Sequence, residues 1–182
     1  MDAFVQHLAS KKMQLRAFFK SRSDAEMWLR AEFLYLLDYL QYVNRFRNFI
    51  GSTHDSGPGE PDSRPKNTGG DIFIRGKKTE TRIELAYFST QWDMETHLSK
   101  IRQKIERLVA FDGNDLRIFV EIMVSHGKWA EKAIEDRIFL IQETEGIHFE
   151  RYSPSLILTL YNEYGDHLEE KIILKLYYSY IP

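Results

Sequence analysis

The first fifty residues carry apolar side chains at helical spacing. Residues 1–20 are predicted to form one helix, and a second helix is predicted from Ser23 to about Ile50, where Gly51 would end it. The sequence Ser23-x-x-Glu26 fits a capping box, in which the glutamate side chain returns to the start of its own helix. The apolar stripe of the second helix is formed by Leu29, Phe33, Leu36, Leu40 and Val43.

The segment from 51 to 70 has the composition of a loop. It contains three prolines and five glycines and has no aliphatic residue. A loop of this length inside a domain is typically functional or disordered, so a long mobile loop is predicted here. The total length of 182 residues suits one domain, and we predict that 1–182 fold as a single unit.

The rest of the chain alternates between strand and helix patterns. Residues 71–75 and 79–89 are predicted to form a hairpin. The elements that follow are a helix over 92–110, a buried strand over 116–124, a helix over 128–145, and strands over about 155–161 and 170–180. This order predicts an α/β fold in which a mixed central β-sheet is flanked by helices.

Composition narrows the class of protein. The chain has 25 basic and 27 acidic residues, so its net charge of −2 creates no bulk attraction for nucleic acid. It has no cysteine, which excludes disulfides, a thiol nucleophile and cysteine-ligated metals. The sequence shows neither the pattern of a signal peptide nor an uninterrupted apolar run that could span a membrane. A cytoplasmic protein with no membrane partner is expected.

Three carboxylates lie where a carboxylate is costly unless a cation binds it. Glu32 falls within the apolar arc of its helix, Asp71 begins a strand after two glycines, and Glu84 lies between apolar residues of a strand. Taken alone, Glu32 is better explained by a salt bridge to an arginine such as Arg82 or Arg102, because structural ion pairs also bury carboxylates.

The order of these acids and elements resembles the PD-(D/E)XK nuclease-like superfamily, over roughly Ser23 to Val124. The resemblance implies a restriction-endonuclease-like core, with an extra N-terminal helix and extra C-terminal strands. It implies that Glu32, Asp71, Glu84 and the backbone carbonyl of Leu85 bind one or two divalent ions, Mg²⁺ or Mn²⁺. The implied activity is hydrolysis of phosphodiesters in DNA or RNA.

The sequence departs from the family pattern at Ala86. The residue two positions after the strand glutamate is usually a lysine in that family, and this lysine helps to activate water. Lys100 or Lys104 on the next helix could replace it, although the simpler interpretation is that both are solvated. If only the amine is missing, Ala86→Lys should raise activity. The alternative function is a catalytically inactive nuclease-fold module that binds nucleic acid or protein, and the third interpretation is an accidental match.

Two further features bear on partners. Basic residues around the hairpin would form a rim for a phosphate backbone, or simply a charged hairpin tip. They are Arg64, Lys66, Arg75, Lys77, Lys78 and Arg82. The C-terminal strands could pair with a second copy of the chain, because exposed strand edges favour such pairing.

Overall fold

A computed structural model describes residues 2–21, 25–44, 49–52, 71–75, 80–110, 116–160 and 170–182. Within these ranges the chain forms a mixed α/β fold with five helices and six strands. In chain order they are α1 (Asp2–Ser10), α2 (Lys12–Ser21), α3 (Glu26–Asn44), β1 (Phe49–Ser52), β2 (Ile72–Arg75), β3 (Glu80–Ser89), α4 (Met94–Val109), β4 (Leu116–His126), α5 (Ala130–Glu145), β5 (Glu150–Leu160) and β6 (Glu170–Tyr180).

The six strands form one sheet in the order β1-β2-β3-β4-β6-β5. Strands β1, β2 and β3 pair antiparallel, and the register of the second pair sets Ile72 opposite Ile83. Helix α4 then crosses over so that β4 runs parallel to β3, with Glu121 beside Ala86. Strands β6 and β5 complete the sheet with antiparallel pairing, which leaves β5 at one edge.

Each face of the sheet has its own hydrophobic core. Side chains alternate along β3, so Leu85 and Tyr87 pack with α1, α2 and α3 on one face. Ala86 and Phe88 pack with α4 and α5 on the opposite face. Glu84 has the same parity as Ala86 and therefore lies on the α4 face. The result is three layers, with the sheet between two layers of helices.

The N-terminal third differs from the sequence prediction in two places. The single helix predicted over 1–20 is divided at Lys11 into α1 and α2. The second helix ends at Asn44, so its predicted extension to Ile50 is wrong. Phe49–Ser52 instead forms β1, because its backbone pairs with β2, a partner that local periodicity cannot reveal.

That strand also shortens the predicted loop. Of the segment 51–70, the first two residues belong to β1, and 53–70 lie outside the described residues. Ser23 of the predicted capping box also lies outside them. The C-terminal elements follow the prediction more closely, although β5 begins earlier than predicted.

Local sequence explains where α4 and α5 start and stop. The Asp93 carboxylate accepts a hydrogen bond from Thr96 N at 2.8 Å and so caps α4. Gly146 ends α5 with a φ of 65°, a left-handed conformation that glycine adopts without strain. In the described part of the chain, no helix has the length and apolar character needed to cross a membrane.

Candidate functional site

Six charged side chains from different elements converge where the N-terminal end of α3 meets β3 and α4. We call them the charge cluster. They are Glu26 and Arg30 of α3, Asp71 at the start of β2, Glu84 of β3, and Lys104 and Arg107 of α4. The cluster brings together three of the residues predicted from sequence, namely Asp71, Glu84 and Lys104.

Lys104 lies at the centre of the charge cluster. Its Nζ is 2.9 Å from Glu26 Oε1, 2.9 Å from Asp71 Oδ2 and 3.5 Å from Glu84 Oε2. The side chain is only 6% exposed. Burial alone would lower the pKa of Lys104, but the three carboxylates outweigh it and raise that pKa above its usual value. Lys104 is therefore an ammonium that donates hydrogen bonds and does not accept a proton.

Asp71 lies just beyond the residues at which β2 pairs with β3. The β2–β3 register reaches Ile72 and Ile83, and beyond it the N–H of Leu85 donates to Asp71 Oδ2 at 3.0 Å. Arg30 Nη2 contacts the other carboxylate oxygen at 2.7 Å. Burial would raise the pKa of Asp71, but Lys104, Arg30 and this backbone hydrogen bond together bring it below its ordinary value.

Glu84 is the acid of the charge cluster whose ionised form is disfavoured by burial. Its side chain is 0% exposed, and Oε2 accepts hydrogen bonds from Arg107 at 2.9 Å and from Lys104 at 3.5 Å. Oε1 is buried and has no hydrogen-bond partner among the described residues. Burial, followed by the charge of Asp71, raises the pKa of Glu84 to about 7, although Lys104 and Arg107 oppose the shift. Perturbed pKa values are concentrated at functional sites, although structural ion pairs also produce them, so the charge cluster is a candidate site.

Glu32 does not join this cluster, so its predicted place beside Asp71 and Glu84 is wrong. Its Oε2 lies 2.5 Å from His7 Nε2 and 3.9 Å from Lys11 Nζ, because α1 packs along α3 and brings these groups to it. The helix glutamate that reaches the site is Glu26, the first residue of α3.

The suggested salt bridges of Glu32 with arginine are also wrong. Arg82 pairs with Glu80, and Arg102 pairs with Glu145 at 2.6 Å. Arg82 is buried, so it is no part of an exposed basic rim. The other residues of that predicted rim have side chains outside the described part of the chain.

The sequence assigned Glu26 only to a capping box, so its contact with the charge cluster was not predicted. In the structure its Oε2 accepts a hydrogen bond from Tyr87 N at 3.5 Å, and Oε1 contacts Lys104. A glutamate in the first turn of a helix is so commonly a capping residue that no local signal distinguishes Glu26. Arg30 and Arg107 were missed for a similar reason, since each resembles an ordinary helix surface residue in the sequence.

The two candidate lysines are separated by the structure. Lys104 occupies the buried face of α4 with Ile101 and Leu108, so the interpretation of Lys104 as a solvated residue is wrong. Lys100 Nζ lies instead over the rings of Phe88 and Trp92, at 5.7 Å and 5.4 Å from their centroids.

Ala86 faces the dry interior between β3 and α4. It is 1% exposed, and its neighbour across the strands is Glu121. Glu121 Oε1 is 2.9 Å from His97 Nε2, and the His97 ring stacks on Phe88 with centroids 3.5 Å apart. Ala86 therefore lies in a buried region that also contains the ion pair of His97 with Glu121.

The donor types in the charge cluster fit a hard divalent ion. Such ions prefer carboxylate and carbonyl oxygens, and Glu84 Oε1 is a buried oxygen without a hydrogen bond among the described residues. The carbonyl of Leu85 points to the same strand edge as its N–H, which faces Asp71. Nevertheless, among the described residues no group of three or more histidine, aspartate or glutamate side chains is spaced to hold a metal ion. The point that the carboxylates share is occupied by the ammonium of Lys104.

The fold and the charge cluster define an α/β protein with a neutralised acidic site between the second and third strands and the crossover helix. No protein-family model matches the sequence, and no curated protein is similar to it. Any functional assignment therefore rests on the residues and geometry described above.

Proposed function

We propose that this chain is a nuclease-like domain that hydrolyses phosphodiesters of DNA or RNA with the help of a divalent metal ion. One observation carries the proposal: Lys104 is buried among carboxylates from three separate elements, two of which are Asp71 and Glu84. The order of elements also agrees with the resemblance, since α3, a three-stranded meander, α4 and β4 follow one another, and β1 supplies a strand before Asp71.

Each residue has a chemical part in this proposal. Glu26, Asp71, Glu84 and the carbonyl of Leu85 would hold Mg²⁺ or Mn²⁺, and such an ion offsets developing charge and lowers the pKa of bound water. Arg30 keeps Asp71 ionised and oriented. Lys104 supplies the amine that is absent at Ala86, and as an ammonium it can donate to a phosphate oxygen or orient a water molecule.

The alternative is a catalytically inactive module on the same fold, which binds nucleic acid or protein. The charge balance favours it, because three acidic side chains face three cationic ones, so the cluster has no excess of negative charge when no metal ion is bound. The two functions differ in whether a divalent ion enters the site.

We expect Asp71→Asn and Glu26→Gln each to lower metal-dependent cleavage by about a hundredfold or more, the usual effect of removing a group from a catalytic centre. Glu32→Gln, on the same helix as Glu26, should leave cleavage unchanged. The assay uses purified protein, Mg²⁺ or Mn²⁺, and single- and double-stranded DNA and RNA, with chelator as the blank.

Two results would contradict the nuclease. Equal cleavage by wild type and Asp71→Asn would mean that a contaminating nuclease causes the cleavage. Folded wild type that cleaves none of the substrates with either metal would leave only the binding module. Loss of cleavage in Glu32→Gln but not in Glu26→Gln would restore the assignment made from sequence.

We propose that Arg107 is the residue of the charge cluster that a phosphate group contacts first. Its side chain is 45% exposed, whereas those of Lys104 and Arg30 are 6% and 7% exposed. We expect Arg107→Gln to weaken nucleic-acid binding about tenfold and to reduce the slope of log affinity against log salt by about 0.9, the effect of one lost phosphate contact.

The matched control for Arg107 is Arg102→Gln. Arg102 is an exposed arginine of the same helix, and its guanidinium is held by Glu145 at 2.6 Å. Binding of a labelled oligonucleotide is measured at several salt concentrations for both variants. An unchanged salt slope in Arg107→Gln would rule out this contact.

A further inference from the structure

The ammonium of Lys104 occupies the point that the three carboxylates share. It contacts Glu26, Asp71 and Glu84 together, and these three acids come from three different elements. Arg30 contacts Glu26 and Asp71, and Arg107 contacts Glu84.

A divalent ion cannot simply be added to this arrangement. Bound to oxygens of Asp71 and Glu84, it would lie within a few ångströms of the Lys104 ammonium, and like charges at that separation in a buried site repel strongly. The three acids already face three cations there. Binding of the ion therefore requires that one positive charge move away.

Lys104 is the cation whose displacement frees an oxygen of each acid, because it contacts Glu26, Asp71 and Glu84 together. Its charge is carried on a flexible four-carbon stem with rotatable donors, whereas a guanidinium is a rigid planar fork. Arg30 is also tied by its Nη2 to both Asp71 and Glu26, at 2.7 Å and 3.5 Å.

We propose that Lys104 is a built-in competing cation, which holds the three carboxylates together in the metal-free protein and must be displaced before a divalent ion binds. This inference rests on the proposed metal site. Its consequence is that one residue has two opposite effects: Lys104 weakens metal binding, and once displaced it provides the amine used in cleavage.

The experiment measures Mn²⁺ binding by calorimetry, independently of cleavage, in wild type, Lys104→Met and Lys104→Arg. We expect Lys104→Met to bind Mn²⁺ at least tenfold more tightly than wild type, and Lys104→Arg to bind no more tightly than wild type because it keeps a cation there. Lys100→Met is the control on the same helix and should match wild type. Lys104→Met should nevertheless lose cleavage.

Lys104→Met is expected to be less stable than wild type without metal, because the three buried acids then face only two cations. Its thermal melt is therefore followed at increasing Mn²⁺, and the expected result is a larger rise in melting temperature than in wild type. A Lys104→Met protein that stays unfolded in saturating Mn²⁺ contradicts the proposal.

The remaining outcomes separate this inference from the proposed function. Equal Mn²⁺ affinity in wild type and Lys104→Met overturns the competing-cation role but leaves the metal site intact. Absence of Mn²⁺ binding in all the proteins overturns both. Tighter Mn²⁺ binding in Lys104→Met together with a wild type that cleaves no substrate supports the competing-cation role and contradicts the proposed nuclease activity.

Discussion

Glu84→Gln is expected to make the metal-free protein more stable above pH 7. The raised pKa of Glu84, about 7 against an ordinary value of 4.5, means that the folded protein favours the protonated carboxyl group. Stability is therefore lost as pH rises from about 4.5 through 7, by an amount on the order of 3 kcal/mol. Glutamine cannot ionise and escapes this loss, so the variant gains up to that amount at pH 8 and little at pH 5.

Asp71→Asn should have the opposite effect. The pKa of Asp71 lies below its ordinary value, so its ionised form stabilises the fold above that value, and this stability is lost as pH falls through the lowered pKa. Asparagine also leaves Lys104 and Arg30 with one fewer buried partner each. Removing one member of a buried ion pair typically costs about 3–5 kcal/mol.

Urea denaturation in the presence of chelator, at pH 5 and pH 8, measures both effects on the free energy of unfolding. The two substitutions are chemically alike, since each changes a buried carboxylate into an amide of the same shape. A loss of stability in Glu84→Gln at pH 8 comparable to that in Asp71→Asn would show that Glu84 is an ordinary partner of Arg107 and not a strained acid.

Ala86→Lys is expected to destabilise the protein by about 3 kcal/mol or more and not to raise cleavage. The sequence alone suggested that a lysine here would restore a missing amine. The structure shows Ala86 only 1% exposed, in the same buried cluster as Phe88, against which the His97 ring stacks. Overpacking and burial of an ammonium both carry a cost. Lys104 already brings an amine to the carboxylates.

Ala86→Met serves as the control, because it is similarly long but uncharged and so reports the cost of packing alone. Thermal melts and cleavage are measured for both variants. An Ala86→Lys protein as stable as wild type, with higher cleavage, would show that position 86 can reach the site after all.

Much of the fold could be predicted from local patterns. Helix α4 follows from Ile101 and Leu108 at helical spacing, and β4 follows from a continuous apolar run. Strand β1 could not be predicted, because Phe49–Ser52 is a short segment whose strand structure depends on its pairing with β2. Short apolar runs are ambiguous between helix and strand until a partner is known.

The members of the charge cluster were predicted in part. Asp71 and Glu84 were recognised because burying a carboxylate among the apolar residues of a strand costs free energy unless a cation binds it. Side chains alternate between the two faces of a strand, so the neighbours on each face can be read from the sequence. Lys104 was one of two candidates, and its spacing of three from Ile101 places it on the buried face of α4. Glu32 was chosen by similar reasoning about burial, but its partner proved to be His7, and Glu26 had been considered only as part of a capping box.

The sequence by itself determined the buried apolar faces of α4 and β4, because these depend only on the periods of helix and strand. It determined the order of the elements from β2 onward and the two acids Asp71 and Glu84. Only the tertiary structure decided that Glu26 and Lys104 complete the charge cluster. That choice depends on where α3 and α4 cross β3, and the crossing point is set by packing between elements distant in the chain, which no local period records.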